Sequence, residues 1–309
     1  MTSLRKALQE YLDLRRSLGF KLQREGKRLL NFVTFMENRN AGYITVPLAV
    51  EWAQQTLSDG SEQWNRLTMV RGFAKYQSAA DSRTEIPPRT LLPRLRSRAR
   101  PYLYTEDEIQ RLLKAARNLR FANDLKTHTH YCLFGLLAVS GLRIGEAIKL
   151  KSEDVDLING VLTIRGTKFG KSRLVPLHPT TQKVLSDYRR HRDCYLGGRS
   201  AVYFFISLRG THLFHTDIYN IFNALSVQLG LRDPSASHGP RLHDFRHRFA
   251  VQTLLRWYRS GEEVEPRLHL LATFLGHVCI ANTYWYLSAC PELMELAVKR
   301  LERRGEIES

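Results

Sequence analysis

The segment LGHVCIANTYWYLS places three consecutive aromatic residues, Tyr284, Trp285 and Tyr286, shortly after His277. A phenol with its ordinary pKa of about 10 is a weak nucleophile at neutral pH, but it becomes a strong one where cations lower that pKa or a base takes its proton. The same residues could instead form part of an apolar core. Which interpretation holds depends on the cationic groups that the rest of the chain supplies.

The segment RLHDFRHRFAVQTLL predicts a helix with one apolar face, and a neighbouring face carries His243, Arg246 and His247. We interpret these three residues as a solvated polar cluster on an otherwise buried helix. His243 and His247 have the spacing of a helical metal pair, but the segment lacks the glutamate of the HExxH pattern and no third ligand is evident nearby, so we expect no metal. A phosphate site with Arg246 as clamp and His243 as donor fits better.

The segment SGLRIGEAIKL follows an apolar helix that Gly141 interrupts, and it predicts a second helical turn with Ser140 as its cap. Arg143 then falls just inside that turn, where a guanidinium adds bidentate donors to the positive end of a helix. Glu146 lies three residues on and could hold Arg143 in its rotamer. A plain surface ion pair would produce the same pattern.

The segment NGVLTIRGTKFGKSRLVPLH alternates apolar and polar residues on both sides of a short loop, which predicts a β-hairpin. Its tip carries Lys168 and Lys171, and either side chain is long enough to reach a neighbouring site as a charge or a proton donor. Lysines at hairpin tips also occur simply as solvated residues.

The formal net charge of +17 over 309 residues predicts a polyanionic partner, and nucleic acid is the leading one. An anionic membrane surface or an acidic protein would satisfy the same charge. No apolar run is long enough to span a bilayer, and the N-terminal segment lacks a secretion signal, so we expect a cytoplasmic protein. The four cysteines form no CxxC pair, which favours reduced thiols over a zinc site or disulfides.

Composition changes along the chain predict a helical domain over residues 1–82, a basic, proline-rich linker over 83–103 and a second domain over 104–309. Thr105 and Glu108 have the spacing of a capping box at the start of the second domain. The linker could lie along a DNA backbone while the two domains grip opposite sides of the duplex. Its candidate DNA-binding residues, called the linker arginines below, are Arg94, Arg96, Arg98 and Arg100.

The order and spacing of these motifs resemble the tyrosine recombinase/integrase family. The resemblance rests on an arginine in SGLRIGEAIKL, a lysine in a hairpin that ends in SRLVPLH, the segment LHDFRH, and LGH followed nine residues later by a tyrosine. The TYWYLS segment is most similar to that of transposon-associated members. The resemblance implies a mainly α fold with a small β-sheet, in which a helical, SAM-like core-binding domain precedes the catalytic domain.

Residue by residue, the family pattern implies that Arg143 and Arg246 clamp the scissile phosphate. His243 and His277 would donate hydrogen bonds to it, and Tyr286 would be the nucleophile. Tyr284 is out of register with the histidine and is expected to pack. The implied general acid is Lys168 rather than Lys171, because the family's lysine stands seven residues before the valine of LVPL. Glu146 matches an acidic position that supports the first arginine.

The resemblance implies cleavage and rejoining of DNA through a 3′-phosphotyrosine intermediate, without metal, other cofactor or ATP. Expected partners are double-stranded recombination sites and further copies of the chain, as a tetramer on two paired sites, with no membrane partner. We expect service to a mobile element and association with the nucleoid. A type IB-like topoisomerase and a non-catalytic DNA-binding protein on the same fold are the alternatives.

Overall fold

A computed structural model describes residues 3–56, 60–93, 101–119, 123–166, 172–236, 238–288 and 290–308. The chain forms two compact units, Met1–Ala99 and Arg100–Ser309. The linker arginines and both hairpin-tip lysines, Lys168 and Lys171, lie outside the described residues. Across the described ranges, no helix is both long and apolar enough to cross a membrane.

The first unit is helical, as predicted. Its helices are α1 (Leu4–Ser17), α2 (Gln23–Asn38), α3 (Val46–Gln54) and α4 (Gly60–Gln77). Their apolar faces meet in one core, because leucine and aromatic residues recur at helical spacing. Phe32 and Trp52 lie at its centre with their rings in edge contact, at a centroid distance of 5.1 Å.

The first part of the segment predicted as a linker packs on the first unit. The backbone N–H of Glu85 donates to the Ile44 carbonyl at 2.8 Å, and the Glu85 carboxylate accepts from the Val46 N–H at 2.6 Å. Arg71 donates to the carbonyls of Pro87 and Pro88, both at 2.6 Å. These bonds satisfy carbonyls that a proline-rich stretch cannot pair within a helix.

The second unit is also mainly helical and holds a small sheet. Its helices are α5 (Glu106–Arg117), α6 (Asp124–Ser140), α7 (Ile144–Ala147), α8 (Pro179–Leu196), α9 (His215–Gln228), α10 (Asp244–Arg259), α11 (Val264–Leu275), α12 (Ala281–Ser288) and α13 (Pro291–Glu308). The strands are β1 (Val155–Asp156), β2 (Val161–Ile164) and β3 (Arg173–Pro176), in an antiparallel sheet of order β1-β2-β3. The predicted mainly α fold with a small β-sheet is confirmed.

Two predictions of local structure in this unit are confirmed. Strands β2 and β3 form the predicted hairpin, with Leu162 opposite Val175. At the start of α5, the Thr105 hydroxyl accepts from the Glu108 N–H at 3.1 Å, and the Glu108 carboxylate accepts from the Thr105 N–H at 2.8 Å. This reciprocal pair is the predicted capping box.

Two apolar clusters position the candidate site. The larger one surrounds α6, which is buried on most sides, and includes the sheet residues Leu162 and Val175. The smaller one joins α10 to the three C-terminal helices and includes Tyr286 and Leu293. The C-terminal ends of α6 and α11 and the N-terminal end of α10 therefore meet between these two apolar clusters.

Candidate active site

The two tyrosines of the aromatic segment lie in different surroundings. Tyr286 is 2% exposed, and its ring lies 5.9 Å from that of His277 and 5.4 Å from that of His247, measured between centroids. Tyr284 is 47% exposed, so the prediction that it packs is wrong. Two residues along a helix correspond to a rotation of about 200°, so the two side chains leave α12 on opposite sides.

Three arginines bind the C-terminal end of α11. Each donates to one of three consecutive carbonyls there: Arg173 to Phe274 at 2.7 Å, Arg246 to Leu275 at 2.5 Å and Arg143 to Gly276 at 3.1 Å. The last carbonyls of a helix lack partners within it and carry partial negative charge. This helix end is therefore a natural anchor for guanidinium groups, and it brings Arg143 and Arg246 together.

Glu146 links two of these arginines. Its carboxylate accepts from the Arg143 guanidinium at 2.8 Å and from the Arg143 N–H at 3.0 Å. Arg173 donates to both of its oxygens, at 2.7 Å and 3.1 Å. Burial opposes ionisation of Glu146, but the bonds from Arg173 and Arg143 outweigh it and lower the pKa to about 2. The predicted contact between Glu146 and Arg143 is confirmed.

The sequence analysis missed Arg173. Its side chain is only 8% exposed and lies on the same face of β3 as the buried Val175. Because alternate residues of a strand point to the same face, an arginine two residues before a buried valine of the hairpin was a usable signal.

The predicted helical cap at Ser140 is wrong. The Ser140 hydroxyl donates back to the Leu136 carbonyl at 2.5 Å, and the N-cap of α7 is Arg143 itself. Helix α7 has only four residues, so its dipole adds little. Arg143 is held instead by Glu146 and the Gly276 carbonyl. Gly141, which ends α6 with φ of 60°, offers its carbonyl to Arg246 at 2.9 Å.

The polar residues of α10 are less solvated than predicted. Arg246 and His247 are 1% and 5% exposed, because α10 packs against α6 on one side and against α12 and α13 on the other. His243, at the N-cap of α10, is the exposed member of the three. Burial, followed by the nearby Arg143 charge, lowers the pKa of Arg246 to about 10, so the guanidinium stays charged at neutral pH.

The two candidate histidine donors are neutral at physiological pH. Burial of the rings, which for His243 is incomplete because part of this residue reaches the surface, and the charge of Arg246 lower the pKa of His243 and that of His277 to about 4. The His277 Nδ1 atom lies 2.7 Å from the Thr283 hydroxyl, which leaves Nε2 for another partner. His277 follows Gly276, whose φ of 66° ends α11 and turns the chain toward α12.

The described residues therefore join charged guanidinium groups, neutral imidazoles and one buried phenol. Tyr286 and Arg246 interact electrostatically, and the Tyr286 and His277 rings stack at an interplanar angle of 25°. Arginines in fixed positions suit the oxygens of a phosphate. Among the described residues, no group of three or more His, Cys, Asp or Glu side chains could hold a metal ion.

Comparison with known proteins identifies the family. Residues 103–292 match the Phage integrase family. The chain belongs to that family. A protein of Sinorhizobium fredii named putative integrase/recombinase y4rB is 51% identical over 99% of both chains. The tyrosine recombinase XerD of Bradyrhizobium diazoefficiens is 26% identical over 78% of this chain and 76% of its own.

A solved structure shares the fold of this phage integrase family member. The integrase of transposon Tn1549, in complex with transposon right end DNA, superposes with a TM-score of 0.67 at 17% identity, over 98% of this chain and 99% of its own. The predicted family, fold and enzyme class are thereby confirmed: the chain is a tyrosine-type site-specific recombinase.

Proposed function

We propose that Tyr286 is the nucleophile and that Arg143 and Arg246 clamp the scissile phosphate. His243 and His277 donate hydrogen bonds to its nonbridging oxygens. The observation that carries this proposal is the burial of the Tyr286 phenol beside His277 and within electrostatic reach of Arg246. We assign protonation of the leaving oxygen to Lys168, with Lys171 as the alternative, and the support of Arg143 to Glu146.

The charge states suit phosphoryl transfer. Negative charge builds on the nonbridging oxygens and on the leaving alcohol, and fixed donors aimed at them supply the largest stabilisation. The Arg246 guanidinium stays charged at neutral pH, and neutral imidazoles can each donate one N–H. Backbone carbonyls already hold both arginines, so little reorganisation accompanies the reaction.

The chemical steps conserve the energy of the phosphodiester. The Tyr286 hydroxyl gives up its proton to water as its oxygen attacks the phosphorus, the bond to the 5′ oxygen breaks, and the general acid gives that leaving oxygen a proton. The products are a 3′-phosphotyrosine and a free 5′ hydroxyl. A 5′ hydroxyl from a second strand then attacks the phosphotyrosine, which restores the phenol and joins the strands without ATP.

The partners follow from this chemistry. Breaking and rejoining four strands calls for four active sites, so we assign a tetramer on two paired double-stranded sites. The linker arginines would lie along the DNA backbone and fix position rather than sequence. The net charge of +17 supports binding to DNA, and so to the nucleoid. Service to a mobile element is supported by the similarity to the transposon integrase.

Covalent capture in cells tests the nucleophile without knowledge of the target. The wild type, Tyr286→Phe and the matched control Tyr284→Phe are purified under denaturing conditions, and attached DNA is sequenced. We expect DNA on the wild type and on the control but none on Tyr286→Phe. Attachment that survives in Tyr286→Phe and disappears in Tyr284→Phe would overturn the assignment.

The same samples separate the alternative functions. A type IB-like topoisomerase would relax supercoiled plasmids of any sequence as a monomer, and the captured DNA would share no common site. A non-catalytic DNA-binding protein would retain DNA under native conditions and lose all of it on denaturation. A recombinase yields one recurring sequence on the wild type.

A further inference from the structure

The candidate histidine donor His277 has a buried partner on the helix that carries the nucleophile. The Thr283 side chain is fully buried, and its hydroxyl lies 2.7 Å from the His277 Nδ1 atom. Tyr286 follows Thr283 by three residues, which places both on neighbouring parts of one face of α12. The Thr283 hydroxyl therefore contacts the Nδ1 edge of the ring and is closed off from solvent.

We propose that the Thr283 hydroxyl donates its hydrogen to His277 Nδ1 and thereby fixes the tautomer that carries the proton on Nε2. This inference rests on the proposed function, because it gives His277 the one neutral form that can donate to a DNA phosphate. Thr283 is a positioning residue in this scheme, since it acts on the substrate only through His277.

The direction of the bond follows from the surroundings of the two groups. A neutral imidazole carries a single proton, and the arginines around His277 disfavour a second one. Two other buried helical threonines in this unit donate their hydroxyl hydrogen to a backbone carbonyl: Thr129 to that of Leu125 and Thr253 to that of Phe249. The Thr283 hydroxyl contacts the imidazole instead, so we assign the hydroxyl as the donor and Nδ1 as the acceptor.

The opposite tautomer would harm the reaction. With the proton on Nδ1, the Nε2 lone pair of His277 would face the nonbridging oxygens on which negative charge develops. A stabilising donor would become a repulsive acceptor, and no proton could be gained from solvent near neutral pH because the pKa of the ring is about 4.

The same bond joins two elements of the site. His277 lies just after the C-terminal end of α11, where its backbone N–H donates to the Ala272 carbonyl at 2.8 Å. Thr283 lies in the first turn of α12, where its N–H donates to the Ile280 carbonyl at 2.7 Å. The side-chain bond between them closes this turn of chain and sets Tyr286 against the His277 ring.

Three variants test the role of the hydroxyl. Thr283→Val keeps the shape and removes the hydroxyl, Thr283→Ser keeps the hydroxyl, and Thr253→Val makes the same change at a buried threonine away from the site. The readout is the rate of covalent adduct formation on a nicked duplex of the sequence recovered by capture. We expect Thr283→Val to slow it roughly 10- to 100-fold, the scale for partners that orient a histidine, with DNA affinity unchanged. Thr283→Ser and Thr253→Val should stay within about threefold of the wild type.

Two outcomes of the rate measurement would overturn the inference. One is a Thr283→Val rate equal to the wild type. The other is a Thr283→Ser rate as low as that of Thr283→Val, which would assign the role to the methyl group. In addition, Thr283→Val should have no further effect in a His277→Ala background, because a residue that acts through His277 has nothing left to position. If the two substitutions together slow the reaction by the product of their separate factors, Thr283 and His277 act independently.

A nuclear magnetic resonance measurement on the free, full-length protein tests the tautomer without DNA. Nitrogen-15 spectra of the imidazole should show a protonated Nε2 and an unprotonated Nδ1 for His277, with the signal assigned by its loss in His277→Ala. A proton on Nδ1 would refute the inference even if recombination is normal. Absence of any adduct from the wild type would count against the proposed function, while the spectrum still decides the tautomer.

Discussion

Replacement of Arg173 by methionine should destabilise the second unit strongly, although no part of the proposed reaction needs this side chain to touch DNA. Methionine keeps much of the unbranched stem and removes the guanidinium. The change deletes two hydrogen bonds to the Glu146 carboxylate and one to the Phe274 carbonyl. The side chains of Arg173 and Glu146 are 8% and 11% exposed, so water cannot replace these bonds freely.

The size of the effect can be reached by two routes. Removal of one partner from a buried ion pair costs roughly 3–5 kcal/mol, and the lower end applies because Arg143 still contacts the same carboxylate. The pKa of Glu146 is about 2, against an ordinary value of 4.5. That difference corresponds to about 3 kcal/mol of stability at neutral pH for the bonds from Arg173 and Arg143 together, so the part due to Arg173 is smaller, and loss of its bond to the Phe274 carbonyl adds to it. We therefore expect Arg173→Met to lower the free energy of unfolding by about 3 kcal/mol.

The pH dependence has a definite sign. Because the pKa of Glu146 is depressed in the folded protein, its contribution is complete above the ordinary pKa of 4.5 and is lost as the pH falls toward 2. In Arg173→Met the Glu146 carboxylate keeps one guanidinium partner, so its pKa in the folded protein is higher than in the wild type. Its ionised form then contributes less to the free energy of unfolding, and less of that free energy is lost in acid. The difference between wild type and variant should therefore narrow in acid.

Urea unfolding of the full-length protein measures this difference. Pulsed hydrogen exchange at each urea concentration, measured on peptides of the second unit, follows the unfolding of that unit separately from the unfolding of the first unit. The matched control is Arg190→Met, which removes a surface arginine whose side chain is 79% exposed and paired with Asp187, and it should cost under about 1 kcal/mol. If Arg173→Met is no worse than this control, or if the gap widens in acid, the reasoning is refuted.

Two further predictions concern the same region. Gly276→Ala should cost about 2 kcal/mol in unfolding experiments, because Gly276 has φ of 66° and a Cβ would lie 2.8 Å from the Arg173 guanidinium, which its own bonds hold in place. Gly198→Ala, at φ of 88° with no atom within 4 Å, is the control for backbone strain alone, and equal costs would contradict the steric argument. The cleavage rate at subsaturating DNA should show no inflection at the ordinary histidine pKa of 6.5, because the pKa values of His243 and His277 are lowered to about 4 and both rings stay neutral above that pH. A step near 6.5 in that pH profile would show that the pKa of at least one of the two histidines is not lowered in the free enzyme.

Local signals in the sequence predicted the elements well. The capping box of α5 and the β2–β3 hairpin depend on residues within a few positions of one another, so spacing was enough to find them. The resemblance to the tyrosine recombinase family, which rests on the order and spacing of the motifs, predicted that Arg143, Arg246 and Tyr286 share one site.

Contacts distant in sequence were not predictable in this way. Arg173 and Phe274 are 101 residues apart, and nothing in either segment specifies the other. The burial of Arg246 likewise depends on α10 packing between α6 and the C-terminal helices, whereas the sequence of α10 alone suggested a solvated face. Serine favours helix caps, which is why the sequence predicts a cap at Ser140, but its hydroxyl donates to the Leu136 carbonyl within its own helix.

The contacts of the three arginines bear on two requirements of a recombinase. Its catalytic site must be correctly assembled, and cleavage must be restricted to the synaptic complex. Carbonyls at the end of α11 and the Glu146 carboxylate already hold the guanidinium groups, so the part of the site that we propose binds the phosphate is assembled by the fold. A site that is always assembled cannot by itself restrict cleavage to a synaptic complex. In the proposed mechanism we expect control to act on the nucleophile Tyr286, which the short helix α12 carries. The hydrogen bond between Thr283 and His277 joins α12 to the preassembled part, beside the contacts of the Tyr286 ring with His277 and His247, and it couples the placement of Tyr286 to the tautomer of the donor.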